Sequence, residues 1–330
     1  MTDFNAFWVE KTDDGVKQSV VSRSTDDLPA GDLLIKVEYS SVNYKDALSA
    51  KGLPGVTRNY PHTPGIDAAG IVAESSTGEF AEGDAVVVIG FDLGMNTHGG
   101  FGEYIRVPAG WAVKVPDGLS ARETMVLGTA GFTAALCVEK LLQMGAAPSD
   151  GSVAVTGATG GVGSVAVALL AKLGYEVVAS SGKADKADYL RSLGATSVIG
   201  RDVLGTENKR PMLGEDYAHG IDTVGGDTLG NLIKSIKYGG SVSACGLVGS
   251  PTFPAAVFPF ILRSVNLLGI DSVQLPIAHK TETWSRLASS WKLPSLESMV
   301  TEIKLDDLPA TVDAMLEGKV FGRTLVVHKV

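Results

Sequence analysis

The sequence predicts an α/β protein: a barrel-like β domain accompanied by a doubly wound parallel sheet. Three observations predict it. The first third carries short apolar runs separated by glycine turns. The middle alternates strand and helix patterns until six strands have been laid down. A glycine-rich turn joins the first of those six strands directly to an apolar helix.

Residues 33–39 (LLIKVEY) alternate apolar and polar side chains, as a half-buried strand does. Residues 69–74 and 85–89 are further short apolar runs, bounded by Gly65, Gly70, Gly78, Gly83 and Gly90. The period changes near Arg122, and residues 123–142 space their apolar side chains as a helix, with Gly128 and Gly131 permitting close packing. Strands then follow at 152–156, 176–180, 197–199, 221–224, 241–245 and 267–270, with helices at 162–173 and 183–193. Residues 202–219 are polar and aperiodic, which predicts a surface loop and a short helix. Beyond residue 270 the alternation stops: 281–291 and 308–316 read as helices and 324–327 as a terminal strand.

The chain has 330 residues, a net charge of -9 and scattered lysines and arginines. A protein that neutralises many phosphates shows a basic stripe, so nucleic acid is excluded as a partner. A local basic pocket for a small anion remains compatible with that charge. Cys137 and Cys245 are too few for a disulfide framework or a cysteine-rich zinc site, and read as buried reduced thiols of a cytoplasmic protein. Residues 1–15 carry four acids and no apolar run, unlike a signal peptide, and no uninterrupted apolar stretch reaches the ~20 residues of a membrane span.

The strongest local signal is VAVTGATGGVG at residues 153–163. Gly160 has no Cβ to hold off a pyrophosphate, and Gly163 lets the helix pack closely. The backbone of Thr159, Gly160, Gly161 and Val162 then faces the anion, with the positive end of the helix dipole behind it. The second strand ends in ASSGK (179–183), where an NAD enzyme would place a carboxylate for the ribose hydroxyls. Ser181, Gly182 and Lys183 stand there instead, and a lysine without a competing acid favours the 2′-phosphate of NADPH. Arg201, past the third strand, either flanks that phosphate or stacks on adenine. The alternative for Lys183 is a solvated lysine at a helix start.

These motifs, with YSSVNYKD (39–46), YPHTPGID (60–67), GGFGEY (99–104), GTAGFT (128–133) and GRTLV (322–326), resemble the quinone-oxidoreductase-like branch of the medium-chain dehydrogenase/reductase superfamily. IDTVG (221–225), ACGL (244–247), PFILR (259–263) and GIDSV (269–273) resemble its acrylyl-CoA reductase group in particular. The resemblance covers essentially the whole length. It implies a GroES-like substrate domain from residues 1–122 and 273–330, and a Rossmann domain from 123–272. It also implies hydride transfer from NADPH to Cβ of an α,β-unsaturated CoA thioester, with protonation at Cα. The runner-up is an NADPH-dependent quinone or general enone/enal reductase; a further alternative is an NADPH-binding protein without catalysis.

Zinc relatives place Cys, His and Cys where this chain has Asn43, Ile66 and Thr129, so the resemblance implies a zinc-free site. His62 then reads as a surface or loop hydrogen-bonder. Without a metal, hydrogen-bond donors must stabilise the enolate. Tyr44 is the preferred donor, with packing on the nicotinamide as its alternative, and Asn43 orients nicotinamide or substrate. Leu247 and Ser272, just past the fifth and sixth strands, and Ile261 are carried over as cofactor contacts. Arg323 either reaches the cofactor or pairs with a surface carboxylate. Asp46 reads as a helix-start cap and Asp67 as the partner of a backbone turn. Lys45, Lys51, Arg58 and Arg263 are candidates for a CoA phosphate patch. The sixth strand, at the sheet edge, invites pairing with a second copy, which predicts a homodimer.

Overall fold

The structure is a computed structural model that describes residues 1–328. In chain order its first strands are β1 (Asp3–Thr12), β2 (Gly15–Ser24) and β3 (Leu33–Ser41), followed by helix α1 (Tyr44–Ala50). Strands β4 (Asp67–Ser75), β5 (Ala85–Ile89), β6 (Tyr104–Val107) and β7 (Ala112–Lys114) lead to the long helix α2 (Ala121–Gln143). The alternating region comprises β8 (Val153–Val155), α3 (Gly161–Lys172), β9 (Val177–Ser181), α4 (Ala187–Ser192), β10 (Ser197–Gly200) and α5 (Asp202–Gly205). It continues through β11 (His219–Asp222), α6 (Gly226–Lys234), β12 (Ser241–Ala244), α7 (Phe258–Arg263) and β13 (Asn266–Gly269). The tail holds α8 (Ile277–Ala288), β14 (Val300–Ile303), α9 (Leu308–Leu316) and β15 (Arg323–Val327).

Two compact units result: Met1–Thr129 with Val273–Lys292 and Leu296–Val330, and Ala130–Ser272 with Leu293–Ser295. In the first, β14-β15-β3-β4-β5-β7 form one sheet, with β6 also pairing β3. Its strands bury Leu33, Ile35, Val37, Val86, Val88 and Ile105 in one cluster. Each such side chain contributes about 1.5–3 kcal/mol by leaving water. A second cluster gathers Phe7, Val42, Ala47, Phe101, Leu308 and Val326, which ties the amino-terminal hairpin to α1 and α9. The β1–β2 hairpin has no counterpart in the strands expected from sequence. Its residues 4–9 (FNAFWV) bury Phe4, Ala6, Phe7 and Val9, but the apolar run is only the four residues 6–9, with polar residues on either side of it in the strand.

In the second unit six parallel strands run β10-β9-β8-β11-β12-β13, the doubly wound order that the alternation predicts. The helix expected over 183–193 is instead a 3-10 turn at Ala184–Lys186 followed by the short α4. Helix α2 is long and apolar enough to cross a membrane by length and composition, and 83% of its apolar window is buried inside the protein. Charged residues at 122, 123, 139 and 140 sit near its two ends, so the apolar run is shorter than the helix.

Candidate functional site

In the nucleotide-type unit, β8 feeds residues 156–160, and Gly160 is the N-cap of α3 with no side-chain cap. The first N–H groups of that helix therefore have no partner within it. A Cβ on Gly163 would lie 2.3 Å from the Gly157 carbonyl oxygen, so packing of the loop on the helix demands glycine there. A Cβ on Gly160 would meet only that same oxygen at 3.2 Å. Protein packing does not fill the space beside Gly160, as a cradle for a ligand phosphate requires.

At the tip of β9, Thr159 Oγ1 and Ser181 Oγ are 3.2 Å apart, and Lys183 N donates to Ser181 Oγ at 3.0 Å. Arg201 N donates to Ser181 O at 3.0 Å, and the Arg201 side chain crosses Gly182 so closely that a Cβ there would lie 2.7 Å from Cδ. The fold therefore brings Thr159, Ser181, Gly182, Lys183 and Arg201 together. Burial, joined by Lys186, holds the Lys183 ammonium below the usual lysine range, against the pull of Asp185. These residues fit a phosphorylated dinucleotide: backbone N–H groups for one anion, hydroxyls and two cations for another.

Ser272 is buried in the same unit and accepts a 2.9 Å hydrogen bond from Thr133 Oγ1. Leu247 and Ile261 lie on the surface, 56% and 69% exposed, with Val248, Val257, Phe258 and Leu262 also exposed. Cys137 is buried and Cys245 half-buried, both free. Arg263 donates to the carbonyls of Leu213, Lys234 and Ile236 and faces Glu215, so the fold itself engages it rather than leaving it for a CoA phosphate.

The other unit concentrates its buried polarity around Asp67 at the start of β4. Its Oδ2 accepts from Ser41 Oγ (2.5 Å), Asn43 Nδ2 (2.8 Å) and Thr129 N (2.9 Å), and Oδ1 accepts from Thr129 Oγ1 (2.5 Å). Asn43 gives its other amide hydrogen to Ser41 O at 3.3 Å and takes one from Arg323 Nη1 at 3.4 Å. Arg323 is buried, donates from Nε to Val126 O, and has Nη2 4.0 Å from Asp67; the carboxylate it faces is internal, not on the surface. Asp67 thus gathers three side-chain donors as well as one backbone N–H, that of Thr129 after the break at Gly128. Asn43 caps α1, and Asp46 accepts the Asn43 N–H at 2.8 Å, as a helix-start acid does. Tyr44 opens α1, half-buried.

His62 is buried, not superficial; its Nε2 pairs with Gly94 O at 3.0 Å, and its ring stacks on His98. Sequence reasoning missed Ser41, whose hydroxyl has no motif of its own, and Lys280. Lys280 is fully buried, donates to Ile89 O (2.7 Å) and Val273 O (3.1 Å), and lies 3.8 Å from the Phe91 ring centroid. On an amphipathic helix pattern it reads as a solvated lysine, so no local signal could have found it.

A two-part chain with a phosphate loop on one unit and a buried carboxylate hub on the other defines an oxidoreductase of the alcohol-dehydrogenase type. The family model for the alcohol dehydrogenase GroES-like domain matches residues 29–117, and that for zinc-binding dehydrogenase matches 161–290. The chain is 46% identical over 326 residues to "Putative quinone oxidoreductase YhfP" of Bacillus subtilis, covering 98% of this chain and 99% of that protein. It is 47% identical over 325 residues to acrylyl-CoA reductase AcuI of Ruegeria pomeroyi, covering 98% of each. The structure of Escherichia coli K-12 YhdH with bound NADPH superposes with a TM-score of 0.95 at 44% identity, over 98% of this chain and 99% of that one. YhfP with NAD bound gives 0.96 at 46% identity, over 99% and 100%. The chain belongs to the medium-chain dehydrogenase/reductase superfamily, in its quinone-oxidoreductase-like branch.

One family model carries zinc in its description, but Asn43, Ile66 and Thr129 supply no thiolate or imidazole. Among the described residues no group of three His, Cys, Asp or Glu side chains could hold a metal ion. The residues present do not fit a zinc site.

Proposed function

We propose that this chain is an NADPH-dependent reductase of acryloyl-CoA, forming propanoyl-CoA without a metal. The observation that carries the cofactor half is the tip of β9, where Ser181, Gly182 and Lys183 meet Arg201 with no carboxylate at the ribose position. The thioester half is supported by 47% identity to AcuI. Thr159 to Val162 would hold the pyrophosphate, and Ser181, Lys183 and Arg201 the 2′-phosphate. Leu247, Ile261, Ser272 and Arg323 remain further cofactor contacts in this reading. Bound NADPH supplies the hydride that goes to Cβ.

The chain's own residues then manage the charge that develops on the thioester oxygen as Cβ gains hydride and Cα awaits a proton. Tyr44 Oη is the donor that faces this charge; a positioned donor contributes about 10²–10³ in rate. Both Asn43 amide hydrogens are engaged by Asp67 and Ser41, so Asn43 acts by fixing the start of α1. The reading places the enzyme in the cytoplasm as a homodimer. Identity to YhfP favours a second reading, in which the same hydride passes to a quinone or a neutral enone.

Absorbance at 340 nm decides between them. Acryloyl-CoA should oxidise NADPH at a kcat/KM at least about tenfold above that for NADH and above that for benzoquinones, a ratio of about 1.4 kcal/mol or more. Faster quinone turnover would transfer the assignment to the second reading.

A further inference from the structure

Asp67 has no part in the chemistry proposed above, yet its carboxylate is fully buried and accepts four hydrogen bonds. Two of the three positions that hold zinc ligands in metal-dependent relatives, Asn43 and Thr129, send their donors to it. The polarity is inverted: donors surround an anion where lone pairs would surround a cation. Thr129 N–H is the first donor after the break at Gly128, so Asp67 also caps the second part of α2, where a negative charge is favoured. The close approach is exclusive, since a Cβ on Gly128 would lie 2.4 Å from Ser41 Oγ, 2.5 Å from Asp67 Oδ2 and 2.7 Å from Arg323 Nη2.

We infer that Asp67 is a positioning residue: by gathering Ser41, Asn43 and Thr129 it fixes the N-cap of α1 and hence the place from which Tyr44 donates. Asn43 is immobilised on both sides, its Nδ2 by Asp67 and Ser41 O and its backbone N–H by Asp46. Tyr44 is the next residue and the first of the helix, so its direction follows from that anchor. Asp67 itself does not touch the substrate. The inference rests on the reductase reading above.

Three variants and one spectroscopic measurement test it. Asp67→Ala removes every acceptor; Asp67→Asn keeps one oxygen for the Asn43 and Thr129 N–H groups, with its amide facing the Thr129 hydroxyl, which can turn to accept. With acryloyl-CoA and NADPH, Asp67→Ala should lower kcat about 100-fold, and Asp67→Asn should recover it to within about fivefold of wild type. NADPH affinity, read by fluorescence, should stay within about twofold, as for a group that does not bind the nucleotide. Tyr44→Phe should cost about tenfold or more alone and nothing further on Asp67→Ala, because residues acting as a unit are not additive. Equal damage by Ala and Asn, or an additive Tyr44→Phe effect, overturns the inference.

If Asp67→Ala does not fold, Ser41→Ala removes a single bond; a several-fold fall in kcat supports the role, and unchanged kcat overturns it. Independently of turnover, the Asn43 side-chain amide protons should be protected from exchange by NMR in the wild type, keep that protection in Asp67→Asn and lose it in Asp67→Ala. A wild type inert toward every activated alkene would remove the reductase reading alone. An unprotected Asn43 amide in the wild type would remove the role given to Asp67.

Discussion

Lys183 meets its backbone anchor, Ser181 Oγ, at 3.0 Å, while burial depresses its ammonium. A cation held below its usual range gains from a dianion beside it. Lys183→Glu should therefore weaken NADPH binding by about 10–100-fold, the worth of one charge-assisted bond, with NADH affinity changed far less. Equal losses for both nucleotides in calorimetry would detach Lys183 from the 2′-phosphate. Asp46 makes a pH prediction. Burial first, and the Asp67 carboxylate second, push its carboxyl up to about 7, against hydrogen bonds from Asn43 and Ile66. A folded value above the open-chain value means a contribution complete below the ordinary carboxylate range and lost as pH rises through about 7. The stability of wild type relative to Asp46→Asn should thus fall across that window, at most about 1.4 kcal/mol per pH unit. Buried His62 and His328 and half-buried His98, all lowered first by desolvation, act in the opposite sense, so the difference between the two proteins is the quantity to follow by denaturant titration. A pH-independent difference would contradict the assignment. At this scale the nucleotide cluster was legible because its signal is local, a strand followed at once by its loop. The carboxylate hub was not, since Ser41, Asp67, Thr129 and Arg323 meet only through the fold.

Helix α2 shows what an apolar period conceals. Its spacing marks a continuous helix, yet Gly128 adopts φ 52 and ψ -161, outside helical geometry. That region belongs almost wholly to glycine, and any Cβ would collide with Ser41, Asp67 and Arg323. Gly128→Ala should cost about 2–4 kcal/mol, combining backbone strain with overpacking. Thermal denaturation near wild type would show that the break in α2 relaxes readily. Strands β8 to β13 were readable because apolar runs, glycines and helical crossovers agree at every step. The hairpin was not, since β1 and β2 share much of their length with solvent and only the four residues 6–9 of β1 make an apolar run.

For the molecule as a whole, β13 ends the parallel sheet, and Val257 with Phe258 and Leu262 of α7 stands exposed in the same unit. An open edge and exposed apolar side chains are what the proposed homodimer would cover. Light scattering should return twice the 34.3 kDa chain mass at micromolar concentration. Leu267→Asp, at a position 38% exposed on β13, should return the single chain mass. A wild-type monomer would leave that face without its assigned partner. Isotope placement reads the proposed reaction most directly. NADPH deuterated at the transferable C4 position should give propanoyl-CoA with one deuterium on C3, and unlabelled NADPH in D2O should place one on C2. Acryloyl-CoA recovered unchanged while NADPH is oxidised only when quinone is present would contradict the account.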